Sequence, residues 1–146
     1  MRPSNETIEA WRLMLQAHQR LTTEMDFELR DRHDLRLDWY DVLYQLTVAG
    51  GRMRMHELAE ATLFSRTECT RIVDRMERAG LVQRERADQD RRGVYALMTA
   101  DGQALFRRAA ATHLDDIQRL FGAHVTAQEA TAIAQALGRA LEAAGE

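Results

Sequence analysis

Two groups of residues in this chain have the types and spacing to hold a polyanion. Arg66, Thr67, Thr70 and Arg71, followed by Arg75, recur at helical steps behind Ser65. On the outward side of a helix their guanidinium and hydroxyl groups can bond base edges or phosphates. The second group is Asp90, Arg91 and Arg92, in the polar run ADQDRR, with Arg86 just before it. Arginines at a hairpin tip suit the minor groove, whose negative potential deepens where it narrows. Asp90 would orient Arg92 through a carboxylate–guanidinium pair. Taken singly, each group also describes an ordinary solvated helix or turn. Their succession, an exposed polar helix and then an arginine-tipped hairpin, points to duplex DNA addressed through two grooves.

Other chemistries find less support. The five histidines, at 18, 33, 56, 113 and 124, show no metal-ligand spacing, and the single Cys69 excludes thiolate-rich zinc sites and any disulfide within the chain. Nucleophile elbows, phosphate loops and paired carboxylates are missing from the sequence, so no cofactor, no metal and no enzymatic activity are expected. A module that binds protein without DNA is the alternative. The arginine pair in the turn counts against it.

These groups must be positioned by a fold that 146 residues can build as one domain with a real core. Apolar steps from Glu6 to Arg30 predict a long amphipathic helix, and Asp38, with Asp41 three residues on, predicts the start of a second that ends at Gly50 and Gly51. A short third helix is expected near Met55 to Thr62. Ser65 and Glu68 form an S-x-x-E capping box that opens the next, with Cys69, Ile72, Val73 and Met76 as its buried stripe. Leu81 to Arg86 and Gly93 to Thr99 read as a hairpin. Thr99 and Asp101 then cap a long helix to about Gly122, and Thr126 with Glu129 boxes the last one.

The predicted fold class is therefore mainly α with a small β-hairpin wing: a winged helix-turn-helix lobe over 36–99, with long terminal helices over 6–34 and 101–146. Those terminal helices are too apolar to be covered by the small lobe alone, which predicts packing against a second copy. The net charge of −3 argues against indiscriminate polyanion binding, yet residues 50–95 hold ten arginines against eight acids. All basic residues are arginine, so every cationic contact is a planar multi-donor group. With no membrane span or secretory leader legible, a cytoplasmic protein is expected.

The stretch from Met55 to Thr99, with SRTECTRIVDRMERAGLV and the D-x-R signature at Asp90, Arg91 and Arg92, closely resembles the MarR (multiple antibiotic resistance regulator) family of winged-helix transcription regulators. The resemblance implies a homodimer on a pseudo-palindromic double-stranded operator, in most cases a repressor. It implies Thr70 and Arg71 as recognition-helix contacts, Arg92 as the minor-groove residue and Asp90 as its partner. It also implies release by a small, often aromatic effector, for which Trp11, Arg12, His18, Trp39, Tyr40 and Tyr44 are the candidate lining, unless these rings are simply core. A thiol-responsive regulator acting through Cys69 is the further alternative. Leu63 stands where many such turns carry glycine, which predicts a more open turn.

Overall fold

The computed structural model describes residues 1–86 and 93–145. Its elements are α1 (Asn5–His33), α2 (Leu37–Val48), β1 (Arg52–Arg54), α3 (Met55–Thr62), α4 (Arg66–Arg78), β2 (Val82–Arg86), β3 (Val94–Met98), α5 (Ala100–Leu120), a 3-10 turn (Gly122–His124) and α6 (Ala127–Ala144). Two compact units divide the chain, Met1–His113 and Leu114–Glu146. Among the described residues no helix is long and apolar enough to cross a membrane.

Capping chemistry sets most helix starts. The Ser4 hydroxyl accepts from the Thr7 amide at 3.2 Å, and Ser65 from the Glu68 amide at 3.1 Å. Thr126 and Glu129 form the full reciprocal box. The expected start of α2 at Asp38 is corrected: the helix begins one residue earlier, and its first amide, Leu37 N–H, donates to Asp26 Oδ1 on α1 at 2.9 Å. Asp38 instead receives the Arg36 guanidinium at 3.1 and 3.0 Å and the Trp39 amide at 2.9 Å. A cap borrowed from eleven residues upstream leaves no local signature.

The hairpin is part of a larger sheet. β1 adds a third antiparallel strand, in the order β1-β3-β2, with Arg52 opposite Leu97 and Arg54 opposite Tyr95. Three residues reading Arg-Met-Arg carry too little alternation to announce a strand. Within the first unit, Leu29, Leu43, Leu58, Val73, Met76 and Val82 are all closed to solvent and share one core. His33 Nε2 meets Thr112 Oγ1 at 2.7 Å, joining the end of α1 to α5.

The seam between the sheet and α5 is tight. The Thr99 hydroxyl donates to the Gly80 carbonyl at 2.7 Å and accepts from the Gly102 amide at 3.0 Å. A Cβ on Gly102 would collide with the Leu81 carbonyl oxygen, so only glycine lets the helix approach this closely. The turn between α3 and α4 is also unlike expectation. Leu63 adopts the left-handed conformation itself, at φ 63°, so the turn closes as glycine would close it rather than opening.

Candidate nucleic-acid interface

α4 buries Cys69, Ile72, Val73 and Met76 against the core. With that stripe inward, Ser65, Arg66, Thr67, Thr70, Arg71 and Arg75 are all exposed, as their spacing predicts. The Ser65 cap closes one orphan amide and fixes where this polar face begins.

What the sequence reading missed is the contact that ties β2 to α4. Arg84 on β2 lies opposite Ala96, on the inward side of the sheet, and its side chain is mostly buried. Its Nη1 donates to Asp74 on α4, and its Nη2 to the Thr70 carbonyl at 3.1 Å. The Arg84 amide donates to Glu77 Oε2 at 2.8 Å. The hydrogen bond from Arg84 holds the Asp74 carboxyl below its usual range. Recognition helix and wing are thus fastened by one planar fork. The alternation of β2 was the available signal, since Arg84 follows the buried Val82 by two residues.

Arg86, two residues further along the same strand face, is exposed and pairs in register with Val94. Asp90, Arg91 and Arg92 lie outside the described residues.

The six candidate effector residues lie on α1 and α2. Tyr40 is 4% exposed and packs its ring 5.4 Å from Phe106 and 4.5 Å from His113. Tyr44 is half exposed, 6.5 Å from Phe106, and the neighbouring Trp39 keeps a buried indole N–H with no hydrogen-bond partner. Trp11 and His18 are exposed on the first half of α1, where Arg12 pairs with Glu9 at 3.2 Å. Among the described residues no hydrogen bond, ion pair or ring contact joins these three to the α2 group. Beside Tyr40, burial and then the like charge of Asp38 push the Asp41 carboxyl up to about 6.

Cys69 is 1% exposed, and burial raises its thiol pKa against the opposing pull of Arg84. A protonated thiol closed to solvent is a poor nucleophile, which weighs against the thiol switch. Among the described residues no group of three or more His, Cys, Asp or Glu is placed to hold a metal ion.

The MarR family model matches residues 33–93. A crystal structure of AbsC, a MarR family transcriptional regulator from Streptomyces coelicolor, superposes with a TM-score of 0.89 at 31% identity, over 100% of this chain and 99% of AbsC. The chain belongs to the MarR family.

Its relatives are transcriptional regulators. The homoprotocatechuate degradative operon repressor of Escherichia coli is 34% identical over 98 residues, which span 67% of this chain and 65% of the repressor's length. Sco3205, a MarR family regulator of Streptomyces coelicolor solved in complex with DNA, is 26% identical, with a TM-score of 0.90 over 98% of this chain and 90% of its own.

Proposed function

We propose that this chain is a cytoplasmic transcriptional repressor that binds a pseudo-palindromic operator as a homodimer and leaves it when a small effector binds. The observation that carries the reading is the exposed Arg66, Thr67, Thr70 and Arg71 face of α4, capped at Ser65 and fastened to the wing by Arg84. A recognition helix so placed enters the major groove by its first two turns, where arginine takes guanine O6 and N7. Ser65, Arg75 and Arg86 complete the contact set. Arg92, oriented by Asp90, is the minor-groove residue that the family resemblance implies, and Arg91 is proposed as a backbone contact. The DNA-bound state of Sco3205 and the repressor role in the Escherichia coli relative's name support the same conclusion.

A second copy is the occupant that suits the exposed apolar side chains of the terminal helices, Ile8, Trp11 and Leu15 on α1 and Ile133, Leu137 and Leu141 on α6. The proposed effector is a small aromatic molecule lined by residues from Trp11, Arg12, His18, Trp39, Tyr40 and Tyr44, of which Trp11, His18 and Tyr44 are exposed. Selection of bound fragments from random duplex DNA tests the reading. Enrichment of two inverted half-sites about one helical turn apart supports it, and absence of any enriched sequence contradicts it.

A further inference from the structure

A hollow of about 390 Å³ opens between α3, α4 and the wing strands, walled by His56, Arg66, Thr70, Asp74 and Arg84 among its lining. Its charges do not cancel. Asp74 is answered by Arg84, which also faces Glu77 at 3.8 Å and whose second nitrogen is taken by the Thr70 carbonyl, so Arg84 is fully engaged within the protein. Arg66 and His56 are exposed and have no hydrogen bond or ion pair among the described residues. What remains facing the open side is one guanidinium, one imidazole and the Thr70 hydroxyl. That set matches a tetrahedral oxyanion: two donors able to carry charge and a neutral one, converging on a space large enough for a phosphate.

We propose that His56 is a further DNA-contacting residue, which with Arg66 and Thr70 seats one phosphodiester of the duplex backbone in this hollow. The proposal rests on the DNA-binding reading above and adds a contact from α3, the helix expected to cross the backbone while α4 enters the groove. A phosphate held there adds to the salt dependence of binding. The charged groups facing His56 across the hollow are Arg66 and Asp74 on α4 and Arg84 on β2. β3 contributes the apolar Val94, and neither α2 nor β1 lines the hollow. Glu60 lies one turn along α3.

The test is fluorescence anisotropy on a random-sequence duplex, reading affinity and the slope of log affinity against log salt for the intact protein, His56→Gln and His56→Arg. Random sequence suffices because phosphate contacts dominate non-specific binding. His56→Gln is expected to bind more weakly than the intact protein, with a slope no steeper. His56→Arg is expected to bind at least as tightly, with a slope steeper by up to about 0.9, the value of one neutralised phosphate. A purely structural role would change neither affinity nor slope, and thermal melts confirm that these surface variants fold. If the intact protein binds duplex but His56→Gln keeps its affinity and slope, the phosphate seat is overturned while the DNA reading stands. If the intact protein shows no salt-sensitive duplex binding, both fall.

Discussion

Leu63 carries two local penalties at once, a left-handed backbone and a side chain 91% exposed. An L-residue in this conformation costs about 1–2 kcal/mol, part of which glycine would return as extra chain entropy in the unfolded state. Leu63→Gly is therefore expected to stabilise the fold by about 0.5 kcal/mol, readable as a higher urea midpoint at unchanged slope. Asp41 carries a penalty of another kind. Its carboxyl is pushed from the ordinary 3.8 to about 6, first by burial and then by Asp38. The folded state therefore holds a proton that the unfolded chain releases. The contribution is fully present below pH 3.8 and is lost as pH rises through 6. Asparagine keeps the neutral form at every pH. Asp41→Asn should melt above the parent protein at neutral pH by roughly 3 °C, allowing for partial exposure, with the gap closing as pH falls towards 4. A gap that widens on acidification would refute the assignment.

Between elements, the contact that matters most is the Arg84 fork from β2 to α4. Arg84→Ala should cost about 1 kcal/mol of stability, since the ion pair is partly solvated. It should cost more in DNA affinity, because α4 and the wing would no longer be held in one register. Arg84→Lys should restore little of that affinity, a single ammonium being unable to span Asp74 and the Thr70 carbonyl together. Equal affinities for all three proteins, compared by anisotropy, would show that the fork does not aim the wing. The elements legible in the sequence were those whose signals are local. S-x-x-E at Ser65 and T-x-x-E at Thr126 placed two helix starts, and the stripe from Cys69 to Met76 told which side of α4 faces out. The tertiary determinants were not legible. The α2 cap comes from Asp26, β1 exists only because β3 pairs with it, and Arg84 looks like any surface arginine until the pleat turns it inward.

At the scale of the molecule, the exposure of the α4 face proposed to meet DNA could be read from residue types, because an exposed polar helix face follows from knowing its buried one. The candidate effector residues could not be sorted in this way. Trp11, Arg12 and His18 lie on α1 and Tyr40 and Tyr44 on α2, and aromatic composition does not distinguish a lining ring from a core ring such as Tyr40. Leu137 and Leu141 on α6 are exposed, and the proposed dimer would cover them. A Leu137→Glu, Leu141→Glu variant is expected to sediment at half the mass of the parent protein and to lose operator affinity with it. A variant that keeps the parent's mass would remove α6 from the interface.

The central claim is that α4 reads duplex DNA through its exposed arginine and threonine face. The most direct measurement is the affinity of Arg71→Ala, against the intact protein, for a selected operator and for the same duplex with each half-site base pair changed in turn. The expected result is a loss of about 1–3 kcal/mol on the operator, with discrimination erased at the base pair Arg71 contacts and kept at the others. Unchanged affinity and unchanged discrimination at every position would contradict the account.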